Sequence, residues 1–476
     1  MATNAASIEN LPTELQIQIL EYLSFDDLRF MSSVNTCFHC LAEPLLYAEV
    51  DIKWVGCYEV NCRPPPVPLL LRTILDNHGL ARHIRRVRLD GHDYVDHDSV
   101  IDVSPIFPSE AIPMPRALEI IRSTQLAEGV ADSWADELQS GSADAMVTLL
   151  LAALPNLTSF FLGSNFANVN RFLGALCNSS ITRGNQNSKF KKLCDVTITR
   201  TESDFKPSDT RNTSNMLPFL FLPNIQTLSL TVDNPVVFEW PPGTPTPQFS
   251  SLLSLELSRL REVRLEPILS ATKRLQKLQW NLIYITDIDD DVSRDVLDLD
   301  VLDAALSSVS GTLTDLTISA RVYNAWYSGF PEPDPLKIQG SLSGLIEFAH
   351  LERLTLPWAF LMGYCYDPSR CLKVWERLPK NLELLSLEHD LSRLDEYEWH
   401  NEDVLSAAEY ILTHWKRQSS NGRLRILVPI MSHANLNVEE IDARLRNISA
   451  HAGVIVDWDH RFHEEMKLAG IYDETV

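Results

Sequence analysis

Residues 252–280 read LLSLELSRLREVRLEPILSATKRLQKLQW, and the fold is decided by how this stretch is parsed. The same spacing, apolar-x-x-apolar-x-apolar, stands at both ends, first as Leu252-Leu255-Leu257 and then as Leu275-Leu278-Trp280. The final three positions alternate apolar, polar, apolar, as in a strand with one buried face. Residues 262–271 between them read as helix, so the stretch is strand, helix, strand.

Outward from this unit the spacing recurs. Upstream lie Leu157-Phe160-Leu162, Leu193-Val196-Ile198 and Ile225-Leu228-Leu230, with Ile84-Val87-Leu89 before them. Downstream lie Leu313-Leu316-Ile318, Leu351-Leu354-Leu356, Leu382-Leu385-Leu387 and a truncated match, Leu424-Leu427. From residue 157 to residue 424 the first positions are 23 to 42 apart. Helical stretches at 142–154, 168–178, 293–309, 342–349 and 402–417 fall between strands. Strand plus helix at this period resembles a leucine-rich-repeat solenoid. One unit cannot bury its apolar face alone, so neighbours stack into a curved parallel sheet. The expected class is therefore α/β, with an irregular leucine-rich-repeat-like solenoid. The Asn typical of such repeats, eight places after the first apolar residue, occurs only as Asn165, which makes the repeats degenerate. A doubly wound α/β domain would alternate in the same way and stays open as an alternative. Val454-Ile455-Val456 is expected to add an edge strand.

The repeat phase also names a surface. Between the last two apolar positions stand Arg88, Phe161, Thr197, Ser229, Glu256, Gln279, Thr317, Thr355 and Ser386, all polar except Phe161. Side chains alternate across a strand, so this column points away from the core, toward water or a partner. Together with the flanking Arg86 and Arg353 it is the candidate target-binding face. Phe161 is either an exposed anchor or a ring covered by a neighbouring loop. Arg82, Arg85, Arg86 and Arg88 form a basic stripe that either holds an acidic partner segment or balances nearby acids.

Residues 10–47 are a separate module, NLPTELQIQILEYLSFDDLRFMSSVNTCFHCLAEPLLY. Leu11, Leu15, Ile19 and Leu23 recur every four residues, as one face of a helix does. Ser24 and Asp27 form a capping box for a second helix, Asn35 caps a third, and Pro44 is expected to end it. Three helices of this size do not close a core unaided, and their surplus apolar surface implies an interface. Leu11-Pro12-x-Glu14-Leu15, Ile19-Leu20-x-Tyr22-Leu23, Asp27-Leu28, Val34, Phe38, Leu41 and Pro44-Leu45-Leu46-Tyr47 together resemble the F-box motif. The resemblance implies binding to a Skp-type adaptor and, through it, a cullin-based ubiquitin ligase that acts on a protein substrate held by the repeats, as in fungal-type F-box proteins. Leu11, Pro12, Leu15, Ile19 and Leu20 are expected at or beside the adaptor contact, with Leu23 and Val34 more internal, and Leu28 is counted among the adaptor-binding residues. The domains then read 1–50 F-box, 51–80 linker and connecting helix, 81–460 solenoid and 461–476 cap or tail.

Composition narrows the partners. A formal net charge of -23 opposes binding to nucleic acid and to anionic membranes. No apolar run reaches membrane-spanning length and no secretory signal is read at the N-terminus, so the expected location is cytoplasm or nucleus, with reduced thiols. The sequons at Asn156, Asn178, Asn212 and Asn447 are then chance matches.

Cofactor chemistry finds little support. Cys37-x-x-Cys40 with Cys57 and Cys62 lacks the regular spacing of a zinc site, and Cys37 and Cys40 are expected to be buried thiols. Residues 92–98 hold metal-ligand types but read equally as a polar loop. The Asp287, Asp289, Asp291 run has Val292 where a calcium loop needs Gly. Residues 234–248, with five prolines, are expected to be surface loop. Glycine-rich phosphate loops and the hydrolase and metalloprotease motifs are absent, so no cofactor, no metal and no catalytic residue are expected. An adaptor-bound scaffold outside ubiquitylation, or an enzyme on an α/β fold, remain the other readings.

Overall fold

The computed structural model describes residues 8–55, 65–92, 106–167, 170–182, 189–199, 216–232, 251–285, 294–323, 336–367, 374, 376–392, 394, 396–415, 424–431 and 437–458. The described residues up to 226 form one compact unit and those from 227 onward a second.

The first unit opens with α1 (Thr13–Glu21), α2 (Phe25–Ser32) and α3 (Thr36–Leu46). They close on a small core of Leu20, Leu28, Phe38 and Ala42, flanked by Ile8, Leu23, Met31, Leu41, Leu45 and Leu46. The expected caps are present. Ser24 Oγ accepts the Asp27 N–H at 3.2 Å, and Asn35 Oδ1 accepts the Phe38 N–H at 2.8 Å. Pro44 does not end α3, which runs on to Leu46. Pro44 lies in the last turn, where its missing N–H costs only the bond to the carbonyl of exposed Cys40.

The chain then enters a parallel sheet. It runs β1 (Glu49–Val55), α4 (Val67–Asp76), α5 (His78–Ala81), β2 (Arg86–His92), α6 (Met114–Ser123), α7 (Glu128–Gln139), α8 (Ala143–Ala152), β3 (Ser159–Leu162), α9 (Ser164–Ala167), α10 (Arg171–Thr182) and β4 (Asp195–Ile198). The four strands lie side by side in chain order. β1 falls partly in the span read as linker. Its alternation, with Trp54 buried, pairs Glu49 to Val55 with Arg86 to His92, but it lacks the repeat spacing because it follows α3 directly. α8 is buried on all sides, among α4, α6, α7 and α10, which is why its sequence is apolar except for Asp144 and Thr148.

The second unit runs β5 (Thr227–Thr231), β6 (Ser254–Ser258), α11 (Glu266–Leu269), β7 (Lys277–Ile285), β8 (Val296–Asp298), α12 (Leu299–Ser307), β9 (Asp315–Tyr323), β10 (Lys337–Gln339), β11 (Arg353–Pro357), α13 (Trp358–Met362), β12 (Leu384–Glu388), α14 (Asn401–Trp415), β13 (Arg425–Val428), α15 (Val438–Ala452) and β14 (Ile455–Trp458). Its sheet is parallel, in the order β5-β6-β7-β9-β11-β12-β13-β14, while β8 and β10 pair separately. Three expected helices are shorter. Residues 262–271 make one 3-10 turn and α11; residues 344–347 make a single 3-10 turn; and β8 precedes α12, which Asp298 caps through the N–H groups of Asp300 and Val301. Buried Arg261 fastens that region by donating to Glu262 and to the carbonyls of Arg294 and Val296.

A fixed junction recurs at the N-terminal end of the strands. The Ala48 carbonyl accepts the N–H groups of Arg85 and Arg86; that of Arg85 accepts Thr158 and Ser159; that of Thr158 accepts Cys194 and Asp195. In the second unit Leu253, Gln276, Thr314 and Glu352 do the same for the strand that follows. Asn side chains reinforce it. Asn156 Nδ2 donates to the Arg82 carbonyl at 2.6 Å, Asn224 to that of Lys191 at 2.6 Å, and Asn381 to that of Ala349. Each Asn stands just before the first apolar residue of its repeat.

One register differs from the sequence reading. Leu427 is not an inward position: the buried residues are Leu424, Ile426 and Val428, and Leu427 lies beside Ser386 on the outward column. The segment between Leu424 and its strand is one residue shorter, which exchanges the faces. Residues 234–248, 461–476, 93–98 and 287–291, with Cys57 and Cys62, lie outside the described residues.

Candidate partner-binding surfaces

The helical module shows a core on one side and apolar side chains in water on the other. Leu15, Ile19, Phe25 and Val34 are exposed, Phe30 is 72% exposed and Tyr22 91%. Pro12 is exposed, while Leu11 and Leu23 are partly covered. Leu20 and Leu28 belong to the core, and Leu20 is fully buried, beside the exposed side chains and not among them. α1 turns its Gln16 and Leu20 side inward, and the buried Gln16 amide donates to the carbonyls of Glu9 and Leu11. Val34 is 60% exposed instead of internal, because it follows the C-cap of α2 at the corner before α3. Cys37 and Cys40 are exposed, not buried: Phe38 and Ala42 set the inward face of α3 and leave both thiols outside it. Among the described residues, no group of three or more His, Cys, Asp or Glu could hold a metal ion.

The second surface is the outward face of the sheets. In the first unit Arg88 lies over the Phe161 ring at 4.0 Å and pairs with Asp90 at 2.8 Å. Phe161 is therefore half-buried, with a guanidinium over its ring. Arg86 pairs with Glu49, and Thr197 is half-buried.

In the second unit the column is knitted by hydroxyl and amide groups. Ser229 Oγ donates to Glu256 at 2.9 Å, and Asn281 Nδ2 donates to Glu256 at 3.1 Å and to Ser258 at 3.0 Å. Ser319 Oγ donates to Asn281 at 2.9 Å, and Gln279 approaches the same oxygen. Thr317 and Thr355 are half-buried, and Arg353 pairs with Asp315 at 2.9 Å. Ser386 departs from the pattern: it is buried, with Oγ donating to Glu388 at 2.8 Å. Ser258, Asn281 and Ser319 were missed in the column. They stand two residues further along strands that outrun the motif, and continued alternation would have found them.

Beyond this row the Asp390 carboxylate accepts the Ala320 N–H at 2.7 Å, where β9 continues past its pairing with β11. Burial pushes its pKa up, against that hydrogen bond. A pocket between β12, β13 and the helices α13 and α14 is lined by apolar side chains, among them Trp358, Leu361, Leu385 and Ile426, and offers no acid–base group.

Residues 8–53, which take in the three helices and the start of β1, match the F-box-like family, whose domains typically bind Skp-type adaptors. No curated protein matches the chain.

Proposed function

We propose that this protein is the substrate-recognition subunit of a Skp–cullin–F-box ubiquitin ligase. The apolar side of α1 and α2, with Leu15 and Ile19 at its centre, would seat the adaptor, and the adaptor would bring the cullin. The parallel sheets would be a degenerate leucine-rich-repeat solenoid of the kind found in fungal-type F-box proteins. Their outward face, from Arg88 and Phe161 to Arg353 and Thr355, would hold a target protein in the cytoplasm or nucleus. The protein would catalyse nothing itself; it would supply proximity to a recruited conjugating enzyme.

The observation that carries this reading is the exposed apolar face on a module that matches the F-box-like family. Large apolar side chains left in water on so small a unit are explained by a partner. The test is adaptor pull-down with the full chain carrying Leu15→Asp and Ile19→Asp. Both side chains are outside the core, so the melting temperature should hold while capture falls by about a hundredfold, as for a pair of central contact residues. Undiminished capture would overturn the adaptor site. Ubiquitylation of co-purified proteins in a reconstituted ligase separates a receptor from a scaffold.

A further inference from the structure

The basic stripe noted in the sequence is two different things in the structure. Arg86 and Arg88 are neutralised by Glu49 and Asp90 on the sheet face. Arg82 and Arg85 stand before β2, exposed, and among the described residues neither has a carboxylate within ion-pair distance. The junction hydrogen bonds bring a further cation to the same edge. Asn156 donates to the Arg82 carbonyl and accepts from Lys192 Nζ at 2.7 Å.

Among the described residues, the segments that form this edge, 82–85, 155–158, 189–194 and 223–226, include neither Asp nor Glu. Two carboxylates at the starts of neighbouring strands are engaged: Glu49 with Arg86, and Asp195 accepting from Ser159 Oγ at 3.2 Å. On a chain of net charge -23, an edge whose described segments bear Arg82, Arg85 and Lys192 and no acid is a local reversal of sign.

We propose that this edge docks an acidic segment, a run of Asp and Glu, of a partner protein. The whole-chain charge repels a long polyanion such as nucleic acid, whereas a short acidic peptide feels the field within roughly one Debye length of about 8–10 Å. The site uses none of the α1 and α2 side chains of the adaptor reading, so it stands whether or not that reading holds.

The test uses the full chain and a fluorescein-labelled decaglutamate peptide, read by fluorescence anisotropy at low salt. Arg82→Glu with Arg85→Glu should weaken binding by about tenfold or more. Lys273→Glu with Arg446→Glu, an equal charge change on exposed side chains of the second unit, should weaken it by less than about twofold. Circular dichroism checks folding, and Arg82→Gln with Arg85→Gln replaces the first variant if it fails to fold. Absence of peptide binding, equal loss in the two variants, or displacement of the peptide by equimolar inorganic phosphate would each overturn the assignment.

Discussion

Asp144, at the start of α8, shows how much one carboxylate can set. It accepts the Phe172 N–H in the first turn of α10 at 3.3 Å and lies 3.5 Å from Thr148 Oγ1. Burial pushes its pKa up to about 7; the Phe172 hydrogen bond and Arg171 pull it back, and Glu137 adds to the rise. A folded pKa above the unfolded value means the folded state holds the proton more tightly. Stability from this group is then fully present below about pH 4 and falls as pH climbs toward 7, by roughly 4 kcal/mol at most. Asp144→Asn should flatten the decline in melting temperature between pH 5 and 8 and raise it at pH 8; identical profiles for the two proteins would refute this. Asn165 is a second such residue. Its buried amide donates to the Trp54 carbonyl at 2.8 Å, and Asn165→Ala should cost about 1–3 kcal/mol in urea denaturation. The sequence marked Asn165 by its place in a repeat, but not its partner, which lies 111 residues away. Asn224 and Asn381 were not marked, and Asn156 only as a chance sequon. Their role depends on which carbonyl the neighbouring strand presents, although the repeated Leu-Pro-Asn at 154–156 and 222–224 is visible in the sequence.

Elements were legible where their causes are local. Ser24 and Asn35 cap α2 and α3 as their spacing predicts, and Ser24→Ala or Asn35→Ala should each cost about 1 kcal/mol. Hydrogen exchange would show it as faster exchange confined to these helices, and unchanged rates would count against the caps. The inward face of α1 was less legible. The stripe Leu11, Leu15, Ile19, Leu23 is more apolar than the adjoining Gln16 and Leu20, yet the latter side is buried, because Gln16 finds carbonyls that periodicity cannot show. The same limit explains Leu427. A truncated motif leaves its phase open, and only pairing with β12 places Ile426 inward. The outward column, Ser386 apart, was legible because it follows from alternation alone, but that Arg88 covers Phe161 required neighbouring strands to be adjacent.

At the scale of the whole molecule, strand order follows chain order within each unit, which the recurring motif implied; β1, α6 and α7 carry no such motif and escaped it. In the second unit β7 and β9 share nine paired positions, whereas β14 pairs over four with β13. Amide exchange measured by mass spectrometry should be slowest on β7 and β9 and fastest on β14; a protected β14 beside a labile β7 would contradict this. The junction at the strand starts has a further consequence. Every copy presents much the same joint: one carbonyl, usually taking two N–H groups from the strand that follows. Successive first positions can therefore be 73 residues apart, as between Ile84 and Leu157, or 23, as between Leu252 and Leu275, without altering the joint. A gene encoding such a chain can gain or lose material by unequal crossing-over, and a deletion running from one joint to the next rejoins ends of compatible shape. Length is then free to change in whole modules, because the joint is made by backbone groups that every such module carries.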